Sequence, residues 1–257
     1  MSEMAIEVAN ERGVCVVTGG SRGIGAATAR LAATRGYAVA LTYKERAAEA
    51  DAVVAAITAS GGRAIAIKGD VGSESDVVRA FEAADELGRL TLLVNNAGIA
   101  GTVGRLEDTA NGEMLERLFR TNVVGAFLAA REAVRRMSTR RGGRGGSIVN
   151  VSSGASQLGT PNVWIHYAAT KGAMDTMTIG LAKEVAIDGI RVNAVRPGII
   201  DTEIHDARPP GQLEKMRQAI PMQRLGTADE IANAILWLAS DEASYVTAAF
   251  IDARGGI

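Results

Sequence analysis

The chain has 257 residues with 28 basic and 29 acidic side chains, which gives a formal net charge of −1. This balance removes the electrostatic basis for a dedicated nucleic-acid or membrane-surface binder, so we expect neither partner. A single cysteine, Cys15, excludes an intrachain disulfide, and with only two histidines in the chain we expect no metal site. The start of the chain is mixed and charged and lacks the apolar core of a signal peptide, which predicts a cytoplasmic protein.

Short apolar runs alternate with amphipathic stretches along the whole chain. The predicted strands cover residues 13–17, 37–42, 63–68, 91–94, 147–151, 190–195 and 246–251. The helical patterns cover residues 25–36, 47–60, 73–87, 114–137 and 167–187. Short apolar strands that alternate strictly with helices predict an α/β protein: a doubly wound parallel β-sheet, or Rossmann fold, with helices on both faces. No repeat or linker divides the chain, so we expect one domain over residues 1–257 with a short tail at residues 1–12.

A glycine-rich turn follows the first predicted strand and directly precedes a helix. Its sequence is Thr18-Gly19-Gly20-Ser21-Arg22-Gly23-Ile24-Gly25. Free backbone N–H groups and the helix dipole favour an anion at such a turn, and glycines allow a phosphate to approach closely. The spacing differs from the usual G-x-G-x-x-G, and tight turns need glycines anyway. The position of the turn on the first strand of an α/β pattern therefore carries the prediction of a pyrophosphate site.

Tyr167 and Lys171 lie four residues apart at the start of a predicted helix, on one helical face. A nearby ammonium favours the phenolate and so lowers the pKa of a tyrosine towards the range of a general acid/base. Ser152 and Ser153 end a predicted strand, and residues 95–98 (Asn-Asn-Ala-Gly) end another. Because active sites of parallel sheets form beyond the carboxyl ends of the strands, we expect these groups to meet.

These motifs, in this order, resemble those of the classical short-chain dehydrogenase/reductase family over nearly the whole chain, including members similar to 3-oxoacyl-[acyl-carrier-protein] reductase and glucose dehydrogenase. The resemblance implies a catalytic set of Asn122, Ser153, Tyr167 and Lys171. In that set the tyrosine transfers the hydroxyl proton and the serine binds the carbonyl oxygen. The lysine binds the nicotinamide ribose and lowers the tyrosine pKa, and the asparagine holds a water. Ser152 competes with Ser153, because the gap to Tyr167 is one residue longer than is common in the family.

The resemblance also implies a set of residues around the cofactor. They are Gly19, Ser21, Arg22, Gly23, Ile24, Gly25, Tyr43, Lys44, Asp70, Val71, Asn96, Ala97, Gly98, Tyr167, Lys171, Pro197, Gly198, Ile200 and Thr202. A substrate lid is expected within residues 199–222.

The second strand indicates which nicotinamide cofactor is preferred. An NAD site needs an acidic residue about 20 residues beyond the glycine loop, and that position falls on Tyr43. Arg22 and Lys44 are placed to converge on a 2′-phosphate, so we expect NADP to be preferred and NAD to be the less favoured cofactor. The alternative is that both are ordinary surface cations, partly neutralised by Glu45.

Several residues allow two interpretations. His166 either lines the substrate pocket or lies exposed at a helix start, and His205 either touches substrate in the lid or is solvated. Trp164 and Leu158 form an apolar wall of the pocket or pack within their own loop. The arginine-rich residues 135–144 are a nucleic-acid patch or a helix end that runs into a solvated loop.

The implied reaction is hydride exchange between NADP(H) and a small carbonyl or alcohol. A 3-oxoacyl thioester reductase and an NAD-dependent sugar or polyol dehydrogenase are not separated by any motif. A non-catalytic nucleotide-sensing regulator on the same fold would be free to lose the catalytic set, which is complete here. The resemblance also implies a homo-oligomer, a tetramer, because an apolar C-terminal strand would otherwise end at a sheet edge.

Overall fold

The computed structural model describes residues 12–203 and 211–257. Seven strands form one sheet in the order β3-β2-β1-β4-β5-β6-β7, and all neighbouring strands pair in parallel. The strands are β1 Val14–Val17, β2 Ala38–Tyr43, β3 Ala64–Lys68, β4 Leu90–Asn95, β5 Gly146–Val151, β6 Ile190–Pro197 and β7 Phe250–Ala253. The strand order reverses between β1 and β4, which confirms the predicted doubly wound fold and puts a ligand crevice at the carboxyl ends of these strands.

Helices connect the strands and cover both faces of the sheet. They are α1 Gly23–Thr34, α2 Ala47–Ala59, α3 Glu74–Asp85, α4 Leu106–Thr109, α5 Gly112–Phe119, α6 Gly125–Met137, α7 Ala155–Leu158, α8 Ile165–Val185, α9 Gln212–Ala219 and α10 Ala228–Ala239. Among these described residues, no helix is both long and apolar enough to cross a membrane.

Alternate residues of the strands supply two separate cores. On one face, Val16, Leu93 and Ile148 pack with side chains of α3, α6 and α8. On the other face, Cys15 and Val149 pack with side chains of α1, α2 and α10. Because both faces are covered, the polar groups that the sheet presents lie at the ends of its strands.

The helix predicted over residues 114–137 is interrupted. Between α5 and α6, the segment Arg120–Val124 forms a π-helical turn. A π turn inserts one extra residue into a helix and is often found at functional sites. Here it contains Asn122, whose buried side chain forms hydrogen bonds to the loop after β4 and to Thr170 of α8.

The last strand begins later than predicted, at Phe250 rather than at residue 246. Ala248 has a left-handed backbone (φ +59°), which an extended strand does not allow. Residues 246–249 instead bond to β6 partly through side chains, with the Asn193 amide donating to the Val246 carbonyl and accepting from the Ala249 N–H. The predicted start of this strand, at residue 246, was therefore wrong.

The arginine-rich segment is a helix end. Arg135 and Arg136 lie in the last turn of α6, and both form ion pairs with Glu132. Arg140 lies in the following 3₁₀ turn and pairs with Asp188. Since these cations already have carboxylate partners, the helix-end interpretation is confirmed.

Candidate active site

The glycine loop and the segment after β4 hold each other in place. The Thr18 hydroxyl accepts hydrogen bonds from the N–H groups of Asn96 (3.0 Å) and Ala97 (3.1 Å). In return, the Asn96 side-chain amide donates to the carbonyls of Thr18 (3.0 Å) and Gly19 (2.9 Å). The ends of β1 and β4 are thereby fixed to each other at the crevice.

The loop has no room for side chains at its centre. A Cβ at Gly25 would overlap the Gly19 carbonyl oxygen and would lie 2.5 Å from the Asn96 Nδ2, and Gly19 itself has φ +65°. Arg22 precedes α1 with an extended backbone, and no side-chain cap is found there among the described residues. The first N–H groups of α1 are therefore available to an anion, as the residues of a pyrophosphate cradle should be.

Ser153 and Tyr167 face each other across the site. Tyr167 lies in the first turn of α8, and Ser153 follows β5 directly. Burial raises the pKa of the Tyr167 phenol to about 12, although a hydrogen bond with the Ser153 side chain lowers it in part. The Ser153 hydroxyl also accepts from the Ala155 N–H at 3.1 Å, which fixes the position of its oxygen.

Ser152 points away from this pair. Its hydroxyl donates to Asp175 Oδ1 at 2.6 Å and lies 3.3 Å from the Lys171 carbonyl oxygen. Of the two serines left open by the sequence, Ser153 is therefore the one next to Tyr167. The extra residue between serine and tyrosine does not disturb this pairing.

Lys171 is buried, with 4% of its surface exposed, and its Nζ donates to the Val151 carbonyl oxygen at 2.7 Å. The Nζ lies 5.6 Å from the centroid of the Tyr167 ring. Burial lowers the pKa of Lys171 to about 8, and the charge of Asp175 opposes this shift. The pKa of Tyr167 is therefore raised overall and not lowered as the sequence led us to expect, because the effect of burying the phenol dominates.

Asn122 links the π turn to the site. Its Nδ2 donates to the Ile99 carbonyl (2.8 Å) and to the Thr170 hydroxyl (3.0 Å), and its Oδ1 accepts from the Ile99 N–H (2.8 Å). A Cβ at Gly98 would lie 3.4 Å from Asn122 Oδ1 and 3.7 Å from Lys171 Nζ. Asn122, Gly98 and Lys171 therefore border one small space.

The expected adenosine side of the site contains an ion pair. Lys44 Nζ lies 2.7 Å from Asp70 Oδ2, and both side chains are partly exposed. Burial alone would raise the pKa of Asp70, but hydrogen bonds from Lys44 and from the Gly72 N–H outweigh it and lower the pKa. Arg22 is exposed at the start of α1. Lys44 thus already has a carboxylate partner, Asp70. The sequence had suggested either a cation that binds a 2′-phosphate or a surface cation partly neutralised by Glu45, and neither interpretation included this ion pair.

The remaining expected cofactor residues lie around the same crevice. Tyr43 ends β2, and Val71 follows Asp70 and packs against Gly125 at the start of α6. Pro197 ends β6, and Thr202 lies against Gly23 of the glycine loop, 3.3 Å from where a Cβ would be. Ile24 and Gly25 lie in the first turn of α1, and the loops after the strands contain Gly19, Ser21, Ala97, Gly198 and Ile200.

The four pocket candidates differ in their surroundings. Trp164 is buried and meets the Tyr167 ring edge-on, with centroids 6.0 Å apart, whereas Leu158 is 54% exposed. His166 is buried, and hydrogen bonding to the Ala100 backbone partly offsets the lowering of its pKa by burial. The alternative of an exposed histidine at the helix start was therefore wrong. His205 and the other residues of the expected lid between 204 and 210 lie outside the described residues.

Several polar contacts of the site were not predicted from the sequence. Asn95 donates from its amide to Asn150 Oδ1 (3.0 Å), and Asn150 donates to the Thr178 hydroxyl (2.8 Å), so that buried amides tie β4, β5 and α8 together. Asp175 and Arg196 form an ion pair at 2.9 Å beside Ser152. In the sequence, these residues could have been found as polar residues within otherwise apolar strands or on an otherwise apolar helix face.

Among the described residues, no group of three or more His, Cys, Asp and Glu side chains is arranged to hold a metal ion.

This fold, with its glycine loop and its neighbouring serine, tyrosine and lysine, is that of a class of oxidoreductases. Residues 19–257 match the family described as enoyl-(acyl carrier protein) reductase. The chain belongs to the short-chain dehydrogenase/reductase family.

Three similar proteins support this assignment. The chain is 51% identical to the uncharacterized oxidoreductase YgfF of Escherichia coli K12, over 95% of this chain and 99% of that protein. It is 37% identical to the 3-oxoacyl-[acyl-carrier-protein] reductase FabG of Staphylococcus aureus, over 94% of this chain and 96% of that protein. It also resembles the crystal structure of a blue fluorescent protein from a metagenomic library in complex with NADPH, with a TM-score of 0.88, 34% identity and coverage of 97% and 98% of the two chains.

Gly25→Ala tests the cradle. The new methyl group would overlap the Gly19 carbonyl and the Asn96 amide, so the loop must move and affinity for NADPH should fall by about tenfold or more, a loss of at least about 1.4 kcal/mol. The measurement is a fluorescence titration of NADPH.

Gly112→Ala is the matched control. Gly112 is exposed at the start of α5, and a Cβ added there would meet nothing within 4 Å, so NADPH affinity should be unchanged. Equal affinity of wild type and Gly25→Ala for NADPH would contradict this account of the loop.

Proposed function

We propose that this protein is an NADP(H)-dependent reductase of a small carbonyl compound, with Tyr167 as its general acid. The observation that carries the proposal is the convergence of Ser153, Tyr167 and Lys171 beside the glycine loop. When bound, the nicotinamide supplies the hydride that adds to the carbonyl carbon. The proton that completes the alcohol comes from the protein.

Different residues of the crevice would bind different parts of the cofactor. The glycine loop and the start of α1 would bind the pyrophosphate, and Asp70 with Val71 would lie on the adenine side. Asn96, Ala97 and Gly98 would line the middle of the cofactor. Lys171 would bind the nicotinamide ribose, and Pro197, Gly198, Ile200 and Thr202 would cover the nicotinamide.

Tyr167 and Ser153 would act on the carbonyl oxygen together. Because burial raises the pKa of Tyr167 to about 12, the phenol is protonated at neutral pH and is able to donate. The Ser153 hydroxyl would donate a hydrogen bond to the same oxygen as negative charge develops on it.

Lys171 and Asn122 would support the proton transfer. With a pKa of about 8, Lys171 is mostly protonated at pH 7 and loses its charge as the pH rises through that value. A charged ammonium beside Tyr167 stabilises the phenolate that remains after the proton has moved. Asn122 would hold a water that returns a proton to Lys171 from solvent.

The substrate class and the catalytic role of the protein are each weighed against an alternative. Similarity to a 3-oxoacyl-[acyl-carrier-protein] reductase supports a 3-oxoacyl thioester as substrate. An NAD-dependent sugar or polyol dehydrogenase is the alternative within the family. A regulator without catalysis is disfavoured because Asn122, Ser153, Tyr167 and Lys171 are all present.

Tyr167→Phe removes the phenolic proton donor and keeps the ring that packs against Trp164. Turnover of carbonyl substrates with NADPH should fall by about a thousandfold, within the usual contribution of general acid catalysis. Affinity for NADPH should stay close to that of wild type. The measurement is kcat/KM over a panel of aldehydes, ketones and 3-oxoacyl thioesters, with NADPH binding as the control, and residual activity within tenfold of wild type would refute the role of Tyr167.

The proposed preference for NADP rests on the cations near the second strand. No acidic side chain occupies position 43, and two exposed cations, Arg22 before α1 and Lys44 after β2, lie close to the ends of their strands. We propose that Lys44 binds the 2′-phosphate while it stays close to Asp70, and that Arg22 approaches the phosphate from the glycine loop. The NADPH complex of the metagenomic blue fluorescent protein supports this choice of cofactor.

Arg22→Ala and Lys44→Ala test the preference. A charge-assisted hydrogen bond contributes about 1.5–3 kcal/mol, so each change should reduce the ratio of kcat/KM for NADPH over NADH by about ten- to a hundredfold. Arg30→Ala, which removes an exposed cation from α1, is the control and should leave the ratio unchanged. A wild-type enzyme that favours NADH, or two variants that keep the wild-type ratio, would rule out this arrangement.

We also propose that the protein is a homotetramer. Phe127 on α6 is 52% exposed and Ile179 on α8 is 39% exposed, which is unusual for large apolar side chains of packed helices. Among the described strands, β7 pairs only with β6 and forms an edge of the sheet. Both features are expected where copies of a chain meet.

Light scattering of the wild-type protein at micromolar concentration should give the mass of four chains. Phe127→Glu should give a smaller species, because a carboxylate would be buried at the proposed contact. Ile187→Glu changes another exposed apolar side chain in the turn before β6 and should leave the mass unchanged. A stable wild-type monomer would contradict the proposal.

A further inference from the structure

Asp175 lies on α8 between two elements of the active site. One carboxylate oxygen, Oδ1, accepts the hydrogen bond from the Ser152 hydroxyl at 2.6 Å. The other, Oδ2, accepts from the Arg196 guanidinium at 3.0 Å (Nε) and 2.9 Å (Nη2). Both oxygens are therefore used, and the side chain is only 14% exposed.

Asp175 also follows Lys171 by one turn of the same helix, so their side chains lie on one helical face. The Ser152 hydroxyl that Asp175 accepts from lies 3.3 Å from the Lys171 carbonyl oxygen. The groups around Lys171 come from three elements. Tyr167 and Asp175 belong to its own helix, the Val151 carbonyl belongs to β5, and the neutral Asn122 side chain belongs to the π turn. Asp175 is thus the anionic side chain nearest to Lys171 along α8.

Arg196 is itself held by the last strand. Its guanidinium carbon lies 3.9 Å from the centroid of the Phe250 ring, and its Nη1 lies 3.9 Å from Asp252. Asp252 in turn pairs with Arg254 at 3.3 Å. The carboxylate of Asp175 is therefore oriented from β6 and β7 on one side and from β5 on the other.

We propose that Asp175 is a positioning residue of the active site: it supplies a negative charge one helical turn from Lys171 and, through Ser152, holds the chain that carries Ser153. Arg196 orients the carboxylate and offsets part of its charge. This inference rests on the proposed function for its link to turnover, but not for its effect on Lys171.

The charge balance around Lys171 explains the need for such a residue. Burial lowers the pKa of Lys171 to about 8, and the negative charge of Asp175 keeps the pKa from falling further. Without that charge, less of the lysine would be protonated near neutral pH. Removal of the Arg196 charge should have the opposite effect, because the carboxylate would then act on Lys171 without compensation.

A titration of Lys171 tests the proposal in the protein without cofactor. The chain has five lysines, so ¹³Cε-lysine NMR gives few signals, and the Lys171 signal is assigned with Lys171→Arg. The wild-type midpoint should lie near pH 8. In Asp175→Asn the midpoint should fall by about one pH unit, as expected for loss of a nearby opposite charge.

Two further variants separate this effect from simple structural damage. Arg196→Gln should move the Lys171 midpoint upwards, whereas Ser152→Ala keeps the carboxylate and should leave the midpoint in place. Damage to the fold would not give shifts of opposite sign. An unchanged midpoint in Asp175→Asn, or a shift in the same direction in Asp175→Asn and Arg196→Gln, would overturn the proposal.

The pH dependence of kcat/KM for carbonyl reduction, measured on the same variants, links Lys171 to turnover. The alkaline limb should move to lower pH in Asp175→Asn and be restored in Asp175→Glu. If the wild-type protein shows no NADPH-dependent turnover, the proposed function fails while the titration still decides the role of Asp175. If turnover is present but the limb of Asp175→Asn matches that of wild type, the role of Asp175 in catalysis is refuted and the proposed function stands.

Discussion

The burial of one lysine ammonium at the end of a parallel sheet constrains most of the candidate site. A buried charge is costly unless it is hydrogen-bonded and paired. Lys171 donates a hydrogen bond to the Val151 carbonyl, which is available because β5 ends there. Its charge is further supported by Asp175 on the same helix. The loop that carries Ser153 and the helix that carries Tyr167 are the two elements joined by this contact.

The other side of the site depends on side-chain amides rather than on charge. Asn96 ties the segment after β4 to the glycine loop, and Asn122 ties the π turn to Ile99 of the same segment. An irregular backbone needs such partners, because its polar groups are not satisfied by neighbouring strands or helical turns. The same side chains that satisfy the backbone therefore also shape the space beside Lys171.

The sheet could be predicted from the sequence because it depends on local patterns, whereas the set of site residues was taken from the family resemblance. Short apolar runs mark strands, and glycines before a helix mark the phosphate loop. The π turn at Asn122 was missed, because the apolar spacing over residues 114–137 was interpreted as one uninterrupted helix. Asp175 was missed because an acidic residue four positions after a lysine is usual on exposed helices. The burial of Asp175 depends on its ion pair with Arg196. Arg196 is distant in the sequence and comes close to Asp175 only in the folded protein. The pKa of Tyr167 was judged from its lysine neighbour, whereas burial determines its direction.

Transfer of deuterium from the cofactor tests the central claim, hydride transfer from NADPH to a carbonyl carbon, most directly. The wild-type protein is incubated with NADPH that carries deuterium at the transferable C4 position, together with the panel of small carbonyl compounds and 3-oxoacyl thioesters. Mass spectrometry should find an alcohol product with one deuterium on the former carbonyl carbon. An alcohol product without deuterium, or the absence of any reduced product across the panel, would contradict the claim.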